Sequence, residues 1–168
     1  MKQQIIISGL GGQGILFVTR VIAEAALIQG QDVLTSETHG MAMRGGTVIS
    51  HIKVGSYQSP LIRSGHADLG LFMNRDNLGV HGHYLSESGK SFVNTGIPGH
   101  YEGLDATDIA GRIGSLVVSN LVLLGFAVEQ GALFADAEAF ERAIRKTSPP
   151  PQLDLTLRAF EAGRGGRK

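Results

Sequence analysis

The chain contains no cysteine. That excludes a disulfide, a catalytic thiolate and any cysteine-ligated iron–sulfur cluster held by this polypeptide, so a redox centre of that kind must belong to a partner. An excess of charge is missing too, because fifteen basic residues offset fifteen acidic ones. With no net charge and no long basic run, no nucleic acid and no membrane is expected as a partner. The short basic stretch Gly163 to Lys168 reads as a frayed tail. Long apolar runs are absent as well. The longest, Leu116 to Val128, is interrupted by Ser119, Asn120 and Gly125, and it falls short of the ~20 residues needed to cross a bilayer. The opening M-K-Q-Q passes at once into I-I-I without a signal-peptide layout, so a cytoplasmic location is expected.

What is present suits one domain spanning residues 1–168: 42% hydrophobic residues, 18% charged and 24 glycines. A chain of this size buries roughly 70% of the surface it exposes when unfolded. Gln4 to Ser8 reads as a buried strand ended by a glycine turn. From Gly14 to Gln29 the apolar residues Ile15, Val18, Ile22, Ala25 and Ala26 recur at helical spacing, widened by Phe17 and Val21, and Gly30 is a natural stop. Strands are expected at Asp32 to Glu37, Thr47 to Val54, Asp68 to Met73 and Ser91 to Asn94. Thr107 to Glu129 has the length and composition of one long helix, apolar on nearly all sides from Leu116 and so buried between layers or under a partner. Asp136 caps a last helix through Lys146, which Pro149-Pro150-Pro151 forbids to continue. Strands alternating with helices predict an α/β fold, a three-layer α/β/α sandwich around a mostly parallel, Rossmann-like sheet.

Several motifs invite chemistry. I-S-G-L-G-G-Q-G-I-L-F places Gly9, Gly11 and Gly14 in G-x-G-x-x-G spacing. A strand–glycine–helix turn brings backbone N–H groups and the positive end of a helix dipole to one point, which suits a phosphate or another anion. Gly9, Gly11, Gly12, Gln13 and Gly14 are therefore a candidate anion-binding turn. Glu37, 23 residues beyond Gly14, is placed to serve as the ribose-binding acid of a dinucleotide site; equally, the glycines let the first helix pack closely on its sheet. Ser88 to Ser91 (S-G-K-S) fails as a P-loop, because Tyr84 stands where the first glycine belongs and the strand follows the motif. His81, His83, His100, His39 and His51 lack an acidic cluster nearby, so no metal site is expected. His81 and His83 read as solvated loop residues and His51 as a hydrogen-bonded structural residue. No serine lies in a G-x-S-x-G elbow.

The segment T-S-E-T-H-G-M-A-M-R-G-G-T-V-I-S-H-I-K-V-G, Thr35 to Gly55, sets His39 and Arg44 in a glycine-rich loop. Arg44 beside Gly45 and Gly46 can present a forked donor to a carboxylate or phosphate while backbone amides approach closely. It can equally tie the loop down through carbonyl contacts. His39, Arg44, Gly45 and Gly46 form a candidate substrate- or partner-binding loop.

Together with G-L-G-G-Q-G-I-L, this segment closely resembles the gamma-type subunit of the 2-oxoacid:ferredoxin oxidoreductases, and its nearest branch looks like the small (beta) subunit of indolepyruvate ferredoxin oxidoreductase. S-P-L-I-R-S-G-H-A-D-L-G-L (Ser59 to Leu71), I-A-G-R-I-G-S-L-V-V-S-N-L-V-L-L-G (Ile109 to Gly125) and R-A-F-E-A-G (Arg158 to Gly163) extend the likeness in order along nearly the whole chain. Tight connections around Asn94 to Asp105, Met43 in place of a frequent glutamine, and Leu155-Thr156-Leu157 in place of a frequent asparagine depart from the pattern and admit a paralogue serving another 2-oxoacid. The resemblance implies a subunit without catalytic residues of its own. Thiamine diphosphate, Mg and iron–sulfur clusters are then expected in partner subunits, with coenzyme A as co-substrate. It also implies a large catalytic subunit as partner and ferredoxin as acceptor through the complex. Leu116 to Val128 offers apolar surface either for a homodimer in isolation or for a hetero-complex. The rivals are a dinucleotide-binding NAD or FAD domain using Gly9, Gly11, Gly14 and Glu37, and a non-catalytic assembly module.

Overall fold

Ile5, Ile6 and Ile7 are all fully buried. Three successive strand residues point to alternate faces, so a strand built from them must be covered on both sides and paired on both edges. That strand is β1 (Gln3–Leu10). The computed structural model describes residues 1–39 and 46–166. Along it β1 is followed by α1 (Ile15–Ile28), β2 (Val33–His39), β3 (Thr47–Val54), β4 (Ala67–Phe72), α2 (Arg75–His81), β5 (Leu85–Asn94), β6 (Glu102–Leu104), α3 (Ala106–Ile113), α4 (Ser119–Glu129), α5 (Ala137–Thr147) and α6 (Leu153–Arg164). The sheet order is β2-β3-β1-β4-β5-β6. β1, β4, β5 and β6 pair in parallel, whereas β3 runs antiparallel to both β1 and β2. β3 is therefore the one reversed strand among those described, and the sheet is mostly parallel.

Helices α1, α3, α4, α5 and α6 cover the face presented by Ile5, Ile7, Ile52, Leu69, Leu71 and Phe92. The other face, with Ile6, Ile49, Phe72 and Val93, carries α2 and the loop of residues 55–66, so the third layer is thin. Each fully buried isoleucine or leucine in these layers contributes about 1.5–3 kcal/mol. No helix among the described residues is long and apolar enough to cross a membrane.

Several expectations need correction. The stretch Thr107 to Glu129 is not one helix: Gly114, at φ 111°, ends α3 in the left-handed region, and Ser115 is extended before a 3-10 turn at Leu116–Val118 leads into α4. A left-handed glycine closes the last turn of a helix and cannot continue it. The apolar stretch Leu116 to Val128 is also not a free surface, because Leu121 to Val128 are buried within the chain and only Leu116 and Val117 stand out. Finally, the helix begun at Asp136 is not the last. Pro150 opens a 3-10 turn that feeds α6, and proline is tolerated at the start of such a helix. Gly163 and Arg164, expected in a frayed tail, close α6. Gly163 is buried, and Arg164 reaches Glu129, Glu141 and Glu161 at 2.9, 3.4 and 2.7 Å.

α4 and α6 pack closely because each offers a glycine. A Cβ on Gly125 would collide with the Phe160 carbonyl, and one on Gly163 with the Val122 carbonyl. Overpacking of rigid backbone costs about 1–3 kcal/mol. Gly163→Ala is expected to destabilise the fold by at least that amount, read as a fall in thermal midpoint of about 2–4 °C per kcal/mol for a chain of this size. An unchanged midpoint would show that the two helices can separate freely.

The thin face holds a histidine cluster. His51 is 3% exposed and its Nδ1 accepts from the Ile62 amide at 3.1 Å, the structural role expected of it. His81 is not a solvated loop residue: it closes α2, half-buried, with Nδ1 2.6 Å from the Oγ of buried Ser8. Burial, then the neighbouring charges of His81 and Lys53, holds the His51 pKa below its ordinary value. Burial and His83 do the same for His81. The unfolded chain then binds protons more readily, so this stability is complete above the ordinary histidine value of about 6.5 and is lost as the pH falls through it. Urea unfolding midpoints are expected to drop between pH 7.5 and pH 5.5, with a shallower drop in His51→Asn; equal slopes in the two proteins would refute this.

Candidate functional site at the carboxyl ends of the strands

The glycine turn lies where β1 leaves the sheet. Gly9 pairs with Val48, which pairs with His39, so three adjacent strands meet here at one end of the sheet. A side chain on Gly9 would meet Ile15 Cδ1, Gln13 Oε1 and Met73 Cγ at 2.7–3.0 Å. Gln13 folds back so that its Oε1 accepts from the Leu10 amide at 2.7 Å, and its own amide donates to the Leu10 carbonyl at 3.1 Å. Gly12 (φ 92°) and Gly14 (φ 73°) both occupy the left-handed region, where L side chains are strained.

Gly14 begins α1 without a side-chain cap, and no acidic residue occupies the first turn. The first amides of the helix therefore lack helical acceptors, and among the described residues no side chain caps the positive end of its dipole. The Gly14 carbonyl takes two donors, the Val18 amide at 3.2 Å and Asn120 Nδ2 at 3.1 Å. Asn120, buried at the start of α4, leaves no room for a side chain on Gly14.

Among the described residues the two loops meet where the Gly11 amide donates to the Gly46 carbonyl at 2.9 Å. Of the loop residues singled out, Arg44 and Gly45 lie outside the described residues, and His39 is described only as the end of β2. Glu37 is far from the turn for a dinucleotide. It pairs with Ser50 on β3, and the reversed strand places it two strand spacings, about 9–10 Å, from β1. A ribose-binding acid needs β2 directly beside β1, so the geometry disfavours that rival. Ser88 to Ser91 lie inside β5, which removes any phosphate loop there. Among the described residues no three histidine, aspartate or glutamate side chains converge on a point that could hold a metal ion.

Two clefts adjoin the turn. One, of about 410 Å³, is lined by Leu10, Gly11, Gly12, Leu16, Phe17 and Arg20 among others. The second, of about 310 Å³, lies between α1, α4 and the α5–α6 connection, bordered by Phe17, Arg20, Val117, Asn120, Gln152 and Thr156. Arg20 borders both. Its guanidinium lies 6.0 Å from the Phe17 ring, and it pairs with no carboxylate among the described residues. Sequence reasoning passed over Arg20 and Asn120. Arg20 looks like any solvated residue of an amphipathic helix, and Asn120 like an interruption of an apolar run; only the packing of α4 against α1 brings them to the turn.

Residues 4–165 match the pyruvate ferredoxin/flavodoxin oxidoreductase family. The chain is 32% identical to indolepyruvate oxidoreductase subunit IorB of Archaeoglobus fulgidus, over 97% of this chain and 94% of that one. It is also 32% identical to ketoisovalerate oxidoreductase subunit VorA of Methanothermobacter thermautotrophicus, where 94% of this chain matches only 35% of a longer protein. The crystal structure of a keto/oxoacid ferredoxin oxidoreductase gamma subunit from Geobacter sulfurreducens superposes with a TM-score of 0.78 at 27% identity, covering 98% of this chain and 97% of that one. The glycine turn, the reversed strand and the thiol-free composition thus sit in a chain that belongs to the pyruvate ferredoxin/flavodoxin oxidoreductase family, as a small, gamma-type subunit of the 2-oxoacid:ferredoxin oxidoreductases.

Proposed function

We propose that this subunit serves a thiamine-diphosphate-dependent oxidative decarboxylation in which a 2-oxoacid of the indolepyruvate or pyruvate kind becomes an acyl-coenzyme A and the electrons pass to ferredoxin. The observation that carries the reading is a match along residues 4–165 to a redox family by a chain without a single cysteine. Iron–sulfur clusters need thiolates that this polypeptide lacks, so its residues do not fit them. Thiamine diphosphate, its Mg and the clusters are assigned to a large catalytic subunit, and coenzyme A enters as co-substrate.

Within that complex the turn Gly9 to Gly14 and the loop His39 to Gly46 receive an anionic group of the 2-oxoacid or of coenzyme A, or hold the partner beside it. Three features support this: the positive end of α1 without a side-chain cap, the side-chain-free backbone at Gly11 and Gly12, and Arg44 with its forked donors. A hydrogen bond to a charged group is worth about 1.5–3 kcal/mol, and each 1.4 kcal/mol is tenfold. Arg44→Ala in the reconstituted complex is therefore expected to raise the KM for coenzyme A or the 2-oxoacid about tenfold to a hundredfold, or to weaken assembly. Unchanged assembly together with unchanged turnover across both concentration ranges would remove the loop from the site. Calorimetric titration of the isolated chain with NAD(H), NADP(H) and flavins is expected to show no micromolar binding; such binding would favour the dinucleotide reading instead.

A further inference from the structure

We propose that Leu16, Phe17, Leu116 and Val117, with Arg20 at their edge, form the surface on which the large catalytic subunit docks, an inference that rests on the functional reading above. Leu116 and Val117 are 61% and 69% exposed and Leu16 is 42% exposed. They are not stray side chains on a loose loop. The 3-10 turn that carries them is pinned on one side by Gly114 and on the other by Val118, which is 4% exposed, and by the Asn120 bond to Gly14. Phe17 and Val117 border the same cleft, and Leu16 and Phe17 border the next one, so these three residues rim adjoining clefts, with Leu116 next to Val117 in the chain. An apolar strip held in water, with the Arg20 cation at its rim, has the composition of an interface core with a polar fix.

The identity of the occupant follows from two further observations. In the longer VorA relative this domain is 35% of the polypeptide, so any neighbour within that chain is covalently joined to it. A separate subunit must hold the corresponding neighbour by surface alone. A second copy of this chain is the poorer candidate: a two-fold contact through the strip sets the same patch against itself, and the strip carries no carboxylate to meet Arg20, whereas a different chain can supply one. Docking there also closes one wall of both clefts, which would enclose an anionic group between the subunits.

The test is co-expression of the tagged full-length chain with the large subunit, followed under anaerobic conditions by the thiamine diphosphate and iron that elute with the tag. Val117→Asp and Arg20→Glu are expected to cut that recovery about tenfold or more, and Val117→Ser to a smaller extent, with circular dichroism and unfolding midpoint as in the wild type. Val80→Asp, an equally exposed apolar position on α2 across the sheet (51% exposed), is expected to retain the large subunit fully. Wild-type recovery with folded Val117→Asp and Arg20→Glu overturns the docking surface and leaves the functional reading in place. Loss of a dimer of the isolated chain in Val117→Asp, with the large subunit still held, assigns the strip to a second copy and overturns it as well. Should the wild-type chain hold no thiamine- and iron-bearing subunit, the functional reading fails and the docking surface fails with it.

Discussion

The contact between Asn120 and the backbone of Gly14 organises the working end of this molecule. It joins the start of α4 to the start of α1 through one hydrogen bond, and it does so at a position where a Cβ on residue 14 would push against Asn120 Nδ2 and disturb that bond. Gly14 also leads the chain into α1 in a left-handed conformation, so one small residue fixes the entry of the helix beside Phe17.

Much of the architecture was legible in the residues. I-I-I between polar ends marks a doubly covered strand, and the period of Ile15, Val18, Ile22 and Ala26 marks a helix on a sheet. What escaped did so for physical reasons. α6 follows three prolines, and proline forbids the continuation of a helix but not the start of a new one. The break at Gly114 turns on a backbone angle that composition does not reveal: Gly111 and Gly125 lie within helices, while Gly114 ends one. β3 alternates like any strand, and nothing in its side chains announces that it runs against its neighbours.

The candidate site divides in the same way. The glycine turn and the Arg44 loop are contiguous in sequence and carry local signatures, so they were visible before any coordinates. Arg20, Asn120 and Val117 belong to three separate elements and acquire meaning only through packing. The dinucleotide rival illustrates the difference, since its spacing is satisfied on paper by Gly14 and Glu37 yet the inserted strand separates the two in space. A thiol-free chain cannot itself hold a cysteine-ligated iron–sulfur cluster.

The reversed strand carries a last implication, for folding order. β2 and β3 are neighbours in sequence and partners in the sheet, so they can zip together as a local hairpin before the distant β1–β4 pairing is in place. The hairpin must then dock on β1 in a single register, for a slip of one residue would turn His51 and Lys53 under the helices and Ile52 and Val54 out to the thin face. The Gly11–Gly46 bond forms only when that register is right. Closure of the glycine turn thereby reports the register of the sheet: a misaligned hairpin does not bring the Gly46 carbonyl to the Gly11 amide.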